Sequence, residues 1–319
     1  MPKLNPESAK KSLLHRMRKQ RLKYITILPS LITLLNGLFG FAAIVLASKP
    51  AVNDKLYEPM HIPYFAMAAY FLIFAMIADM LDGRVARMSQ STSSFGGQLD
   101  SICDIISFGV APAFLMFKML EFKLSMLELN PAFKLFLERF IWFAAATYIS
   151  CAAIRLARFN VENEEDESAH MSFVGLPSPA AAGVIISLVI FQQQTIKQIA
   201  LGGALEVYKV TQDVILYILP LVTIAAGILM ISRIRYPHVI NQYLKGKKPF
   251  AHFVRVLIFF GLIIFLSWQA AAVIISCGFA LSGVIRWILK KNRENENAPS
   301  TEPLTDSSAD EANENELDQ

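Results

Sequence analysis

The sequence predicts an all-α, polytopic membrane protein with about eight transmembrane helices. Its 319 residues are 54% hydrophobic and only 18% charged, and the mean hydropathy is +0.43. Near-continuous apolar runs are long enough to cross a bilayer as helices, and they lack the alternation of apolar and polar residues that an outer-membrane barrel requires. These runs occupy residues 25–47, 63–81, 101–120, 139–157, 176–194, 214–232, 251–268 and 270–288.

The distribution of lysine and arginine predicts which side of the membrane each loop faces. Residues 1–24 contain eight basic residues and one acidic residue, Glu7. If this segment is cytoplasmic, 22 of the 30 basic residues fall on the cytoplasmic side, as the positive-inside rule requires. The first run ends near Lys49 without a small-residue cleavage site, so we expect a permanent span rather than a signal peptide. The basic segment fits either an amphipathic helix on the inner leaflet or a disordered tail.

Four aspartates lie beside apolar runs, where ionised carboxylates are rare. Asp79 and Asp82 are three residues apart, and Asp100 and Asp104 are four apart, so on helices each pair shares one face. Burying four like charges is costly, so either some are protonated or cations lie among them. Hard divalent cations with oxygen ligands are the simplest solution. Intramembrane carboxylates also occur in cation transporters, which is an alternative from a different functional class.

Small and basic residues accompany these aspartates. Gly83 and Ala86 follow Asp82 on nearly the same helical face, where small side chains let a bulky group approach the backbone. Arg87 is close enough to pair with a carboxylate or a phosphate. Gly96 lies four residues before Asp100. Residues 88–97, rich in serine and glycine, predict a tight turn on the cytoplasmic side between the second and third helices.

Two polar residues lie on one face of the first predicted helix. Thr33 and Asn36 are three residues apart, with Gly37 and Gly40 nearby. This face fits either a seam for close helix packing or the lining of a pocket for a polar substrate.

The spacing of the residues around the aspartates resembles the signature of the CDP-alcohol phosphatidyltransferase family. The pattern is Asp79-x-x-Asp82-Gly83-x-x-Ala86-Arg87, eight further residues, and Gly96-x-x-x-Asp100-x-x-x-Asp104. Segments elsewhere look like those of the membrane-embedded phosphatidylserine synthases of that family, although Ser30 stands where asparagine is expected. These segments are LPSLITLLNGLFGF, SFGVAPA at 107–113, RLARFN at 155–160, GLPSPAAAG at 175–183 and SRIRYP at 232–237.

The resemblance implies a reaction in which the hydroxyl of L-serine attacks CDP-diacylglycerol, giving phosphatidylserine and CMP. It implies that Asp79, Asp82 and Asp100 bind divalent metal, with Asp104 completing the site. Two Mg²⁺ or Mn²⁺ ions suit such oxygen ligands and would stabilise the departing phosphate. Asp104 is also the implied general base, a role that competes with metal binding for the same oxygens. The CDP pocket would comprise Asp82 and four further residues: Gly83, Ala86, Arg87 and Thr33.

Recognition of serine also needs a partner for its carboxylate, and a guanidinium is the natural one. Arg155, Arg158 and Arg235 lie at the cytoplasmic ends of the fourth and sixth predicted helices, within segments that carry the resemblance. Ordinary anchoring at the membrane surface also explains any one of them. Arg158 and Arg235 are the preferred candidates for binding serine or a phosphate, with Arg155 and Asn36 as further ones.

The expected organisation has four parts. A basic segment at 1–24 precedes a catalytic core at 25–237 with a six-helix phosphotransferase fold; two additional helices at 238–291 and an acidic, disordered tail at 292–319 follow. The resemblance implies a homodimer in a prokaryotic inner membrane, with the site and both termini facing the cytoplasm and no nucleic-acid partner. Glycerol 3-phosphate, inositol phosphate and choline stay open as alternative acceptors, because the signature specifies the reaction rather than the alcohol.

Overall fold

A computed structural model describes residues 29–49, 63–89, 94–165, 173–200, 205–236 and 267–296. These residues form a bundle of helices with one short two-stranded ribbon. The helices are α1 (Pro29–Ala47), α2 (Tyr64–Ser89), α3 (Ser94–Asp104), α4 (Ala111–Ser125), α5 (Pro131–Glu165), α6 (Ser178–Ala200), α7 (Leu205–Ile231) and α8 (Trp268–Glu296). The strands are β1 (Phe173–Val174) and β2 (Arg235–Tyr236).

The predicted all-α membrane architecture is confirmed. Five helical segments are long and apolar enough to cross a bilayer: Pro29–Ala47, Tyr64–Val85, Phe95–Ser125, Pro131–Val161 and Trp268–Asn292. Predicted runs 176–194 and 214–232 overlap α6 and α7, whereas the run at 251–268 lies almost wholly outside the described residues. The bundle packs through buried small residues such as Ala68, Ala69 and Ala75 on α2, which let membrane helices approach closely.

The predicted turn between the second and third helices was too long at both ends. It was expected at residues 88–97, but α2 continues to Ser89 and α3 already begins at Ser94. Serine and glycine favour turns only weakly and are tolerated within helices that tertiary packing stabilises. Both aspartate pairs therefore lie inside helices, several residues from the adjoining helix ends.

A π-helical turn separates α3 from α4 within one continuous helix. It spans Ile105–Val110 and begins directly after Asp104. Neighbouring helices stabilise its wide backbone: the Ser107 hydroxyl donates to the Asn36 carbonyl of α1 at 2.9 Å, and the Tyr148 hydroxyl of α5 donates to the Phe108 carbonyl at 2.9 Å. A Cβ at Gly40 would lie 2.8 Å from the Ser107 Cα, so only glycine lets α1 pack against this turn. Such π-turns often occur at functional sites.

The ribbon of β1 and β2 ties the start of α6 to the segment after α7. Phe173 pairs with Tyr236 and Val174 with Arg235 in antiparallel register. Gly175 follows with a φ of 86°, in the left-handed region that favours glycine, and a Cβ there would overlap the Met230 carbonyl oxygen. The resulting turn delivers Ser178 to the first position of α6.

Candidate active site

Three of the four aspartates meet where α2 lies beside α3. One carboxylate oxygen each from Asp79, Asp82 and Asp100 lie within 4.8 Å of one another. The Asp82 side chain is only 5% exposed, and both Asp82 Oδ2 and Asp100 Oδ1 are buried without a hydrogen-bond partner in the described structure. Asp79 and Asp82 of α2 are thus brought together with Asp100 of α3.

These three carboxylates fit a divalent cation. Three negative charges at this separation repel one another, and buried oxygens without donors lose the hydration they had in water. A hard cation would supply a partner to the orphaned oxygens of Asp82 and Asp100 and balance the charge of all three carboxylates, and carboxylate oxygens are the ligands that Mg²⁺ and Mn²⁺ prefer. The orphaned oxygens therefore have the chemistry of a metal site.

Asp104 lies outside this group of three carboxylates and has a partner of its own. The Asn36 Nδ2 amide of α1 donates to Asp104 Oδ1 at 3.0 Å. Asn36 is fully buried, and its Oδ1 has no hydrogen-bond partner among the described residues. Only this amide orientation is favourable beside an ionised carboxylate, because the flipped one would place two acceptors face to face. One Asp104 oxygen is thereby held in a defined direction.

Thr33, one helical turn before Asn36, lies against the second aspartate of the signature. Its side chain is buried, its hydroxyl donates to the Pro29 carbonyl at 3.0 Å, and it also lies beside the Asp82 carboxylate. A hydroxyl has one proton and can donate to only one of these two acceptors at a time. The polar face of α1 predicted from Thr33 and Asn36 therefore does line the aspartate site, and it also packs against α3.

A buried arginine approaches the site from α5. Arg155 is 9% exposed, and its Nη1 donates to the Ser178 hydroxyl of α6 at 2.6 Å. Its Nε is buried without a hydrogen-bond partner within the described part of the chain, and its charge interacts with that of Asp104. A buried guanidinium hydrogen-bonded to a neutral hydroxyl retains capacity for an anion.

The other two arginines differ from Arg155. Arg158 Nη1 donates to the backbone carbonyl of Ile231 at 3.4 Å, which links α5 to the end of α7. Arg235 lies on β2, but its side chain falls outside the described structure. Arg155 is buried with one unpartnered nitrogen among the described residues, a property that its position in the sequence did not indicate.

The small residues of the signature occupy the same stretch of α2 and α3. A Cβ added at Gly83 would meet no atom of the described residues within 4 Å, so these residues leave space beside the backbone next to Asp82. Gly96 lies in the first turn of α3, and Ala86 and Arg87 lie on α2 with side chains that are not described.

Sequence reasoning missed one residue of this site, Ser178. It is 1% exposed and supplies the hydroxyl that holds Arg155. Its only signal in the sequence was its place in the segment GLPSPAAAG, where it precedes Pro179 at the start of α6. Serine at that position usually caps a helix, so nothing local indicated an arginine partner.

Comparison with known proteins agrees with the signature. The family model for CDP-alcohol phosphatidyltransferase matches residues 26–218. A CDP-diacylglycerol–serine O-phosphatidyltransferase of Helicobacter pylori is 32% identical over 224 residues, covering 70% of this chain and 81% of that protein. Proteins of the same name from Methanocaldococcus jannaschii (31% identical, covering 69% of this chain and 78% of that one) and Saccharomyces cerevisiae (33%, covering 49% and 51%) are also similar.

Proposed function

This chain belongs to the CDP-alcohol phosphatidyltransferase family, and we propose that it transfers the phosphatidyl group of CDP-diacylglycerol to L-serine. The observation that carries this proposal is the convergence of three signature carboxylates, with the fourth held separately by Asn36. The similar proteins named CDP-diacylglycerol–serine O-phosphatidyltransferase support serine as the acceptor. The cation-transporter alternative has no support from these similarities.

In the proposed reaction the serine hydroxyl oxygen attacks the phosphorus attached to diacylglycerol. A new P–O bond to serine forms, the P–O bond to CMP breaks, and CMP leaves with the bonding electrons. Asp104 takes the hydroxyl proton as general base. The Asn36 amide occupies one Asp104 oxygen, which leaves the other as the proton acceptor and keeps the carboxylate in a fixed orientation. This division favours Asp104 as the base rather than as a metal ligand.

Asp79, Asp82 and Asp100 would hold the divalent metal, Mg²⁺ or Mn²⁺, in one or two ions. Bound metal would neutralise charge on the diphosphate and on the departing CMP. The three carboxylates would hold the metal where α2 lies beside α3, next to the space that the described residues leave at Gly83. Gly83, Ala86, Arg87 and Thr33 would form the CDP side of the pocket, and Gly96 would allow the close approach of α3.

Arg155 is our leading candidate for binding the anionic group of a substrate. The buried, unsatisfied Nε and the interaction of its charge with that of Asp104 support this assignment. The ligand is either the carboxylate of serine or a phosphate of CDP-diacylglycerol, since both accept paired hydrogen bonds from a guanidinium. Arg158, Arg235 and Asn36 are secondary candidates for the same role.

The protein is a multi-pass membrane protein, and we propose that its site faces the cytoplasm of a prokaryotic cell from the inner membrane. The basic residues support this orientation, because most of them fall on the side where α2 meets α3. A cytoplasmic site gives direct access to serine. We also propose a homodimer, as the resemblance to the family implies.

An acceptor panel tests the proposed function. Purified protein is given CDP-diacylglycerol, Mg²⁺ or Mn²⁺, and labelled serine, glycerol 3-phosphate, inositol phosphate or choline, and both CMP and labelled lipid are measured. We expect serine to give equal amounts of CMP and labelled lipid. CMP release with another acceptor and none with serine would refute serine as the acceptor while keeping the reaction class.

A further inference from the structure

The C-terminal helix α8 lies outside the residues that match the family model, yet it packs closely on the core. The Ser276 and Ser187 hydroxyls form a hydrogen bond of 2.7 Å between α8 and α6. Beyond Ser276 the same helix presents Ala280 and Gly283, both buried. Ser276 meets α6, whereas Ala280 and Gly283 meet Tyr236 of the ribbon.

Tyr236 of β2 is held directly against α8. It is 1% exposed, and its hydroxyl donates to the Ala280 carbonyl at 3.0 Å. Burial raises the pKa of Tyr236 above its ordinary value, so the hydroxyl stays protonated as the donor. A Cβ added at Gly283 would overlap the Tyr236 ring, and the Phe279 ring lies 5.8 Å away between centroids. The absence of a side chain at Gly283 therefore leaves the space that the Tyr236 ring occupies.

The ribbon of β1 and β2 connects Tyr236 with Ser178 at the site. Tyr236 pairs with Phe173 in β1, and the turn that follows is pinned from the other side: the Gly175 N–H donates to the Ile234 carbonyl at 2.8 Å, and the Leu176 N–H donates to the Leu229 carbonyl at 2.9 Å. Two residues after Leu176, the Ser178 hydroxyl accepts the hydrogen bond of Arg155. Backbone hydrogen bonds and strand pairing thus connect Tyr236 with the turn before Ser178, so we expect a displacement of β2 to move Ser178.

We infer that α8 is part of the catalytic unit and that Tyr236 is a positioning residue, which acts through the ribbon and Ser178 to orient the Arg155 guanidinium toward an anionic substrate group. This inference rests on the proposed function for its kinetic readout. It differs from the expectation that the site is built by the first six helices alone.

Two alanine substitutions on α8 provide a matched test. Gly283→Ala would place a methyl group where the Tyr236 ring lies. At Gly278, on the same helix, an added Cβ would have no atom of the described residues within 4 Å. We expect Gly283→Ala to raise the KM of one substrate about 3- to 10-fold, the range of one net hydrogen bond, with a smaller change in kcat. The affected substrate should be the one whose KM Arg155→Lys also raises, which distinguishes serine from CDP-diacylglycerol. Gly278→Ala should match the unmodified protein.

A double-variant cycle tests whether the effect passes through the tyrosine. In a Tyr236→Ala background the overlapping ring is gone, so adding Gly283→Ala should change KM little further, a non-additive result. Additive effects, equal KM values for the Gly283→Ala and Gly278→Ala proteins, or a loss of folded protein with unchanged kinetic constants would each overturn the inference.

Hydrogen exchange gives a readout that does not depend on activity. Gly283→Ala should speed exchange of the Gly175 and Leu176 amides, whose hydrogen bonds hold the turn, and Gly278→Ala should not. Unchanged exchange at both amides would overturn the inference, whichever substrate the protein uses. Absence of transfer with every acceptor would refute the proposed function alone.

Discussion

The aspartate site and the contact between α6 and α8 both bury polar side chains, but only the second satisfies nearly all of them. In the helix contact, one of the Ser187 and Ser276 hydroxyls can donate to the other at 2.7 Å, while the hydroxyl that accepts can donate to a carbonyl of its own helix. At the site, four polar atoms are buried without partners among the described residues: Asn36 Oδ1, Asp82 Oδ2, Asp100 Oδ1 and Arg155 Nε. The one other such atom is Gln269 Oε1 in the first turn of α8.

The difference indicates which region is completed by a ligand. An unpaired polar atom in an apolar interior costs free energy, so such atoms are few in native structures. Unpaired carboxylate oxygens near α2 and α3 fit a cation, and the unpaired guanidinium nitrogen of Arg155 on α5 fits an anion. The Ser187–Ser276 hydrogen bond between α6 and α8 has both partners within the protein. Substitutions in the two regions should therefore affect different measurements.

Asp104→Asn should have the largest effect. The amide cannot accept the serine proton as a carboxylate does, so we expect kcat to fall by about 10²- to 10⁴-fold. Initial rates of CMP release at saturating serine measure this. Binding of CDP-diacylglycerol should persist, and near-normal turnover would exclude Asp104 as the base.

Removal of metal should abolish activity reversibly. A chelator should stop CMP release, and Mg²⁺ or Mn²⁺ should restore it. Asp82→Asn removes one member of the three-carboxylate group, so the metal concentration that gives the half-maximal rate should rise by at least about 10-fold. Loss of a residue that only orients a metal ligand already weakens metal affinity about 10-fold or more. Glu138→Gln, an exposed acidic residue on α5, is the control. Equal metal titrations for the two variants would argue against a metal site here.

Arg155→Lys should weaken the binding of one anionic substrate. Lysine keeps the charge but loses the paired donors of guanidinium, and a hydrogen bond to a charged group is worth about 1.5–3 kcal/mol. We therefore expect KM for serine or for CDP-diacylglycerol to rise by roughly 10-fold or more. Arg139→Lys, exposed on the same helix, should leave both constants unchanged. The same result for both variants would reduce Arg155 to a packing residue.

Ser187→Ala changes the contact between α6 and α8 rather than the aspartate site, and it should have the smallest effect. Hydrogen bonds between membrane helices contribute about 0.6 kcal/mol on average, so detergent-solubilised protein should lose only slightly in thermal stability. Kinetic constants per folded protein should stay the same, as a structural contact requires. A raised KM would show that the α6–α8 contact also shapes the site.

Local patterns in the sequence predicted much of the fold and part of the site. Helical spans follow from the length of apolar runs, and the shared face of Asp79 with Asp82 follows from helical periodicity. The turn predicted at 88–97 was too long because Ser89, Ser94, Gly96 and Gly97 lie in helices, where packing with neighbouring helices outweighs local turn preference. The preference for Arg158 and Arg235 as serine- or phosphate-binding residues stays a prediction; the burial of Arg155 could not be predicted from the sequence, since burial is a property of the assembled bundle.

The sequence alone determined the membrane architecture, the reaction class and the four aspartates, because each depends on residue type at short spacing. Only the tertiary structure decided which of those residues meet one another and which meet other helices. The Asn36–Asp104 hydrogen bond joins residues 68 apart, the Arg155–Ser178 bond residues 23 apart, and the Tyr236–Ala280 bond residues 44 apart. Such pairs form when helices pack, and no periodic pattern along the chain encodes which buried side chains then meet.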